Sequence, residues 1–458
     1  MVEAFGVVVA LVLLIGAVLL LVPLRWPAGS WLLAPKLLIA ALVPGVGALA
    51  SVLAVVGVVA GMPLLGVLAG VTAVVAGVVW ARVAAARSVG PGGAGGQALV
   101  APRQGKRRPG TATVSDWQRD LQVGVVPGTD RVLLGDLWSP PSGAEPSGLA
   151  IVYLHGSAWY VLDKDLGTRR LFRQLAGDGH TVLDLAYRLY PETDIPGMVQ
   201  DALRATAWLR AQVSASVKRP ATLVLAGGSA GGHLALLAAY AGHEQPFRPP
   251  ELTACEVEVQ GVVSMYGPAD LAAMYRHTRQ DRLPVASPPS GFDGTVPGWA
   301  RRLFGDRVER LGFERMEAAG RLDWLVGGRP DAVPERYARL SPLGHVHPGC
   351  PPTLLVHGTH DTMAPVAATR LLHQRLASSG VPVTARYLPH TDHGFDLVLP
   401  RFSPAARTAQ AELQRFLATI PRQPHPGDAR RQGPAPAATS AADPECGRPG
   451  DDPRSAHP

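Results

Sequence analysis

The sequence predicts an α/β protein in which helices cover both faces of a mostly parallel sheet and three transmembrane helices precede it. Between residues 113 and 420, apolar runs rich in β-branched residues alternate with helical patterns, as is typical of such sheets. Residues 1–81 contain long uncharged apolar stretches. A serine framed by glycines stands where one apolar run gives way to a helical pattern.

The charged residues are distributed unevenly along the chain. The formal net charge of +7 lies in residues 1–112, where Glu3 is the only acidic residue, and the remainder is neutral. The neutral part has no net positive field to attract phosphates, so we expect no nucleic-acid partner. The basic residues of the N-terminal segment are Arg25, Lys36, Arg82, Arg87, Arg103, Lys106, Arg107 and Arg108.

The apolar N-terminal stretches are predicted to be transmembrane spans over residues 4–24, 37–60 and 63–81, in contact with membrane lipids. Roughly 20 helical residues cross a hydrocarbon core of about 30 Å. The turn signal Gly61-Met62-Pro63 separates the second span from the third. A cleaved secretory signal is the alternative for the first span, but it would begin with basic residues and have a shorter apolar core.

The basic residues beside the spans predict the orientation of the chain. Arg25 and Lys36 lie between the first two spans and the Arg82–Arg108 group follows the third, which favours the cytoplasmic side for both. We therefore expect an integral membrane protein, in the plasma membrane, with the domain that follows the spans in the cytoplasm.

The part of the chain after the spans is predicted to fold as one domain between two unstructured segments. Residues 88–112 form a flexible basic linker, either solvated or resting on anionic headgroups. Residues 113–420 form the folded domain and residues 421–458 a disordered tail. The long insertion at about 271–340 is predicted to be a cap over a site. Eight strands are predicted, over residues 121–126, 132–138, 149–154, 181–187, 222–226, 257–265, 353–357 and 383–388.

The pentapeptide from Gly227 to Gly231 fits the pattern Gly-x-Ser-x-Gly at a predicted turn from strand to helix. At so sharp a bend, side chains on either side would collide, and Gly227 and Gly231 avoid this. The bend exposes the hydroxyl of Ser229, and the following helix points its positive end toward the same place. The pattern predicts a nucleophilic serine at position 229.

A serine hydroxyl needs a base within hydrogen-bond reach, and a carboxylate to orient that base. In this motif context the partners follow in the order serine, acid, histidine. Asp361 comes just after one predicted strand, and His393 lies in the loop after the next. Alternatives for these two roles are His390, His360, Asp392 and Asp396.

An oxyanion formed on the substrate would need preorganised N–H donors. The amide of Ala230, the residue after the nucleophile, is one candidate, and the loop after the third strand should supply the others. That loop begins His155-Gly156-Ser157-Ala158-Trp159. We interpret His155 and Gly156 as residues that shape the loop.

Together, these motifs resemble those of the α/β-hydrolase superfamily, in its esterase/lipase group, which includes hormone-sensitive-lipase-like and feruloyl-esterase-type enzymes. The resemblance covers residues 116–418. It implies an α/β-hydrolase fold, a triad of Ser229, Asp361 and His393, and an oxyanion hole made of the amides of Ser157, Ala158 and Ala230. The matching segments are LHGSAW, AYRLYPE, DALRATAWL, GGSAGGHLAL, MYGPADL, SPLGHV, PPTLLVHGTHDTMAP and TDHGF.

Two features depart from the usual pattern of the group. Ser157 and Ala158 replace glycines of the oxyanion loop, so a positive φ at either would alter the hole. Gly228 stands where hormone-sensitive-lipase-like members usually carry Asp, which favours the feruloyl-esterase and kynurenine-formamidase side of the group.

The expected function is that of a membrane-anchored serine hydrolase that cleaves carboxylic esters of small molecules or lipids through an acyl-enzyme. An amidase, formamidase or peptidase with the same triad is one alternative. A non-catalytic binding protein with a hydrolase fold is another. No cofactor or metal is predicted, because neither the glycine-rich stretches nor the histidines have phosphate-loop or metal-ligand spacing.

Overall fold

The computed structural model describes residues 2–24, 30–86, 88–89, 116–217, 220–283, 302, 311–315 and 318–421. The predicted tail except residue 421, nearly all of the predicted linker and part of the predicted cap lie outside these residues.

Three long helices begin the chain: α1 (Val2–Leu21), α2 (Ser30–Val59) and α3 (Pro63–Ala85). Among the described residues, these three are long and apolar enough to cross a membrane. Gly61, with a φ of 70°, makes the turn between α2 and α3, and Pro63 occupies the first turn of α3, where its missing N–H costs nothing.

Helix α2 begins earlier than the predicted span 37–60, so that Lys36 lies inside the helix. The sequence prediction began the span after this charged residue, because an unpaired cation is costly among apolar groups. In the structure Lys36 is buried and paired with Asp392. The ion pair compensates the charge, so the helix can include Lys36.

Nine strands in the described part of the chain form one sheet, in the order β1-β9-β8-β7-β6-β4-β5-β3-β2. The neighbours from β5 to β9 run parallel, and the pairs at both edges run antiparallel. The strands are β1 (Ser88–Val89), β2 (Asp116–Val125), β3 (Val132–Ser139), β4 (Leu149–Leu154), β5 (Thr181–Ala186), β6 (Thr222–Gly228), β7 (Gly261–Met265), β8 (Thr353–Gly358) and β9 (Val383–Leu388).

This topology confirms the predicted α/β-hydrolase fold, and a strand overlaps each of the eight predicted ranges. The ninth strand is β1, whose two residues fall in the segment predicted to be linker and pair with Ala385 and Arg386 of β9. The predicted strand 257–265 begins only at Gly261. Thr253 and Glu256 form a capping box instead and start a short helix at Ala254.

Helices cover both faces of the sheet: α4 (Arg169–Gly177), α5 (Ile195–Val217), α6 (Ala230–Ala241), α7 (Ala254–Val257), α8 (Leu271–His277), α9 (Leu322–Val326), α10 (Pro334–Arg339), α11 (Val366–Ser378) and α12 (Pro404–Thr419). Successive residues of β6 pack in different cores: Leu223 and Leu225 join the core of α5, α6 and α11, whereas Val224 joins the core of α4 and α12. The central strands are buried along their whole length, as parallel strands covered on both faces should be.

The N-terminal helices pack directly on the domain that contains the sheet. Val83, in the last turn of α3, is buried in the same core as Phe172 of α4 and Phe416 of α12. Helix α12 also contacts α2 and α3. Helix α3 therefore shares a core with the sheet.

A buried ion pair holds the start of α5 against the segment that leaves β5. The guanidinium of Arg188 donates to both carboxylate oxygens of Asp201, at 2.8 Å each. Arg204 donates to the same carboxylate at 3.3 Å. The side chain of Asp201 is 0% exposed, so these cations replace its lost hydration.

Arg188→Met should therefore destabilise the protein by about 3 kcal/mol, because Asp201 would keep only the backbone amide of residue 188, at 3.1 Å, and the longer contact with Arg204. The matched control is Arg131→Met, which removes an ion pair with Glu192 whose side chains are 46% and 41% exposed. The control should cost less than about 1 kcal/mol. Urea unfolding of the full chain in detergent measures both, and equal losses would contradict the expectation.

Candidate active site

Ser229 lies at the sharp turn between β6 and α6, with φ 54° and ψ −126°. This conformation is strained for a residue with a side chain. The two flanking glycines are required by close approaches: a Cβ at Gly231 would lie 2.0 Å from the carbonyl oxygen of Leu154, and one at Gly227 would lie 2.4 Å from the carbonyl carbon of Gly231. The turn therefore forms only where both positions lack a side chain.

The structure brings Ser229, His393 and Asp361 together. Oγ of Ser229 lies 2.8 Å from Nε2 of His393. Nδ1 of His393 lies 2.9 Å from Oδ2 and 3.1 Å from Oδ1 of Asp361. An ionised carboxylate has no proton to donate, so Nδ1 of His393 carries the proton of this hydrogen bond. Nε2 is then free to accept a proton from Ser229.

Asp361 is buried but remains ionised. Burial would raise the pKa of its carboxyl, but the charge of His393 and hydrogen bonds from His357 and His393 outweigh burial and hold this pKa below its usual range. Its Oδ1 also accepts the amides of Met363 at 2.8 Å and Ala364 at 2.7 Å. The carboxylate is thus fixed in the orientation that His393 needs.

The pKa of His393 is shifted in the opposite direction to that of Asp361. Burial lowers its pKa, but the charge and hydrogen bond of Asp361, with smaller contributions from Asp392 and Asp396, outweigh burial and raise the pKa above the ordinary 6.5. A base with a raised pKa accepts a proton more readily, which is what activation of a serine hydroxyl requires.

The alternative acids and bases lie in other contacts. Nε2 of His390 lies 3.2 Å from a guanidinium nitrogen of Arg82, and the ring of His360 packs edge-on against that of His390. Asp396 accepts the hydroxyl of Tyr266. Asp392 accepts from the backbone of His393 but not from its ring.

His357 is a site residue that the sequence argument missed. Its Nε2 lies 3.2 Å from Oδ2 of Asp361 and 3.1 Å from the carbonyl oxygen of Ala364, while its Nδ1 lies 2.9 Å from the hydroxyl of Thr369. His357 thus supplies a second imidazole donor to the carboxylate. A polar residue near the end of an otherwise apolar strand, four positions before the predicted acid, was the available signal.

The loop after β4 packs directly against the serine. A Cβ at Gly156 would lie 3.3 Å from Cβ of Ser229. Ala158 has a φ of 47° and Trp159 a φ of 66°. Ala158 therefore adopts the left-handed conformation for which glycine is the usual residue, at a cost of about 1 kcal/mol or more.

A chain of hydroxyl groups stabilises this loop. Oγ of Ser157 accepts the amide of Trp159 at 2.9 Å and lies 2.7 Å from the hydroxyl of Tyr187. The hydroxyl of Tyr187 in turn donates to the carbonyl oxygen of His155 at 2.7 Å, and the two rings stack at 4.6 Å. The Ser157 side chain, unusual at this position, thus holds the strained loop in place.

His233 connects the loop to helix α6 and was also missed. Its Nδ1 accepts the indole N–H of Trp159 at 3.3 Å, and its Nε2 lies 2.8 Å from the carbonyl oxygen of Leu340. Burial lowers the pKa of His233 to about 4, so the ring stays neutral and keeps one nitrogen as acceptor. Its position two residues after the second glycine of the motif was the only sequence signal.

Described parts of the predicted cap pack beside this loop. The amide of Leu162 donates to the carbonyl oxygen of Leu311 at 2.7 Å, and the hydroxyl of Tyr160 donates to that of Arg321 at 2.6 Å. Among the described residues, no group of three His, Cys, Asp or Glu side chains is placed to hold a metal ion.

Comparisons with known proteins match this domain. Residues 136–289 match the family model BD-FAE, and residues 313–418 match the prolyl oligopeptidase family. The chain is 28% identical over 305 residues to the probable carboxylic ester hydrolase LipM of Mycobacterium tuberculosis, a match covering 66% of this chain and 61% of LipM. It is also 28% identical to esterase LipC of the same organism, over 60% of each chain. The matches thus span about six tenths of these relatives.

Two solved structures of esterases are also similar. Esterase 2 of Thermogutta terrifontis, phosphoramylated by tabun, shares 21% identity at a TM-score of 0.47, covering 69% of this chain and 97% of that one. Esterase B of Lactobacillus rhamnosis shares 21% identity at a TM-score of 0.46, covering 66% and 85%. The sheet topology and the strand-to-helix turn are those of an α/β-hydrolase fold, and the matched families and relatives show that the chain is similar to esterases of that fold.

Tyr187→Phe should destabilise the protein by about 1–3 kcal/mol, because the hydroxyl of Ser157 and the carbonyl of His155 would each lose a buried partner. Tyr387→Phe is the matched control, since the hydroxyl of Tyr387 is buried without a hydrogen-bond partner in the described part of the chain. The control should change stability by no more than about 0.5 kcal/mol. Thermal unfolding compares the two variants, and an equal shift in both would show that the hydroxyl chain does not stabilise the loop.

Proposed function

We propose that this protein is a membrane-anchored serine hydrolase that cleaves carboxylic esters. The observation that carries the proposal is the hydrogen-bonded series Ser229–His393–Asp361 at the turn between β6 and α6. A hydroxyl, an imidazole with its free nitrogen on that hydroxyl, and an ionised carboxylate on the other nitrogen form the arrangement that serine acyl transfer requires.

In the acylation step, Nε2 of His393 takes the proton of Ser229 as Oγ attacks the ester carbonyl carbon. The carbonyl oxygen becomes an oxyanion, and the imidazolium is stabilised by Asp361. The protonated His393 then gives its proton to the leaving alcohol, and the C–O bond to that alcohol breaks. An acyl-enzyme on Ser229 results.

Deacylation repeats the sequence with water as the nucleophile. His393 takes a proton from the water, the hydroxide attacks the acyl carbon, and Ser229 leaves with the proton returned to Oγ. A carboxylic acid is released.

The oxyanion is proposed to bind the amides of Ala230, Ser157 and Ala158. Ala230 is the first residue of α6, so no carbonyl of its own helix accepts its N–H. The partial positive charge of the helix N-terminus adds to this donor. The position of Gly156 against Ser229 brings the loop within reach of the same place.

The comparisons support ester substrates over other acyl compounds. LipM and LipC are named as a probable carboxylic ester hydrolase and an esterase. Amide cleavage by the same triad is the second candidate, because residues 313–418, which include Asp361 and His393, match the prolyl oligopeptidase family. Turnover of matched p-nitrophenyl ester and p-nitroanilide substrates separates the two.

Membrane anchoring is proposed from helices α1 to α3. Their outward side chains include Val58 and Val59, which are 77% and 83% exposed, and many similar residues lie along all three helices. Such a surface is costly in water and favourable in lipid. The hydrolase domain packs at the Arg82 end of α3, so the abundance of basic residues there predicts a cytoplasmic domain.

A fluorophosphonate probe should label the purified full chain at Ser229, and Ser229→Ala should abolish labelling, because the hydroxyl that His393 activates is then lost. Ser147→Ala is the matched control: Oγ of Ser147 also lies 2.7 Å from a histidine nitrogen, Nδ1 of His180, but does not stand at a strand-to-helix turn. Gel fluorescence and peptide mapping give the result. Labelling of Ser229→Ala at the rate of the unsubstituted chain would refute the proposed nucleophile.

Ester hydrolysis should decline as the pH falls through a value above 6.5, because only neutral His393 accepts the serine proton and its pKa is raised. Asp361→Asn removes the charge that raises this pKa, so the inflection of kcat/KM should move to lower pH while kcat falls by about 10⁴-fold. Asp178→Asn is the control, since that carboxylate accepts from Gln414 outside the site. An Asp361→Asn profile with an unchanged inflection would argue against the assigned base and acid.

A further inference from the structure

The loops that carry Asp361 and His393 are joined by one carboxylate that plays no direct part in the proposed chemistry. Oδ1 of Asp392 accepts the amide of Thr362 at 2.8 Å, the hydroxyl of Thr362 at 2.7 Å and the amide of His393 at 2.8 Å. Because Thr362 directly follows Asp361, this single oxygen links the backbone beside the acid to the backbone of the base.

The other oxygen of this carboxylate is bound by the N-terminal helices. Nζ of Lys36, in α2, donates to Oδ2 of Asp392 at 2.9 Å and to the carbonyl oxygen of Val22 at 2.8 Å. Val22 directly follows the last residue of α1. Lys36 therefore connects two of the three apolar helices to the two loops of the triad.

Both members of this ion pair are removed from water. The side chains of Lys36 and Asp392 are each 1% exposed. A carboxylate in such a place needs a compensating cation, since removal of one partner from a buried pair leaves a charge that nothing solvates. The position of Asp392 thus depends on Lys36.

Neighbouring basic groups do not replace Lys36 at neutral pH. Burial and the charge of Lys36 lower the pKa of His360 to about 4. Burial, followed by the charges of Arg82 and Lys36, also lowers the pKa of His390. Both rings are therefore neutral, and Arg82 contacts His390 instead of Asp392.

We propose that Lys36 is a positioning residue for the triad: through Asp392, it fixes the loop of Asp361 relative to the loop of His393. The inference rests on the proposed serine-hydrolase function. It assigns the apolar helices a second role besides holding the domain at a membrane. The catalytic geometry is correct only when α2 is packed on the domain.

The test compares Lys36→Met, Asp392→Asn and the double variant with the unsubstituted full chain in detergent. Lys36→Met should lower kcat by about tenfold to a hundredfold, because a displacement of about 1 Å between catalytic groups has an effect of this size. KM should change by less than about threefold, because the substituted side chain touches no substrate. Both constants are measured with p-nitrophenyl acetate, and kcat is expressed per site titrated with a fluorophosphonate.

The double variant should recover part of the lost rate. Both charges are then removed, so no buried charge is left without a partner. The amide oxygen that Asp392→Asn introduces still accepts from Thr362 and His393. The kcat of the double variant should exceed that of each single variant by about fivefold or more, a coupling that independent sites would not show. Arg82→Met is the matched control, because it removes another basic side chain between the apolar helices and the domain, one that contacts His390. This variant should retain the kcat of the unsubstituted chain.

Three results would overturn the inference. One is a Lys36→Met variant with unchanged kcat per titrated site, including the case in which only the number of active sites falls. Another is a double variant whose loss equals the product of the single losses. The third applies if thermal unfolding shows that Lys36→Met is not folded: it is a double variant whose kcat is no higher than that of Asp392→Asn. Failure of the unsubstituted chain to label at Ser229 would instead overturn the proposed function, and this inference with it.

Discussion

The hydrogen bond between Ser229 and His393 depends on a backbone turn that only glycine permits. The carbonyl of Leu154 lies so close to Gly231 that any side chain there would overlap it. The parallel sheet brings β4 and β6 side by side, so the same contact that forces glycine also places the loop after β4 against the serine. Ser229, the proposed nucleophile, and its proposed oxyanion donors are consequently positioned by one packing constraint.

Buried carboxylates organise the loops of the domain, each with its own set of donors. Asp361 receives two imidazoles and two amides, Asp392 receives an ammonium group and three loop donors, and Asp201 receives two guanidinium groups. In every case the donors include a group from another element or loop. These charges therefore fix how loops meet, at an energetic cost that the hydrophobic cores on both faces of the sheet offset.

Local sequence patterns predicted the sheet and the turn, because strand burial and glycine requirements are decided by near neighbours. The eight strands and the positions of Ser229, Asp361 and His393 on loops after strands follow from such patterns. The pairing of Lys36 with Asp392 was not predictable, since the charge pattern of a membrane-flanking lysine looks the same whether it faces solvent or a carboxylate 356 residues away. The same holds for Tyr187 and Ser157, whose contact exists only after β4 and β5 have paired.

The shared core of α3 and the sheet has a consequence for how the chain comes apart. A single peptide-bond cut between residues 89 and 116 would separate the apolar helices from the catalytic domain in sequence only. Val83 would stay among Phe172 and Phe416, β1 would remain an edge strand of β9, and Lys36 would still be bonded to Asp392. The two pieces would stay together as a non-covalent heterodimer, so that cleavage at this place would not release the sheet domain from the apolar helices.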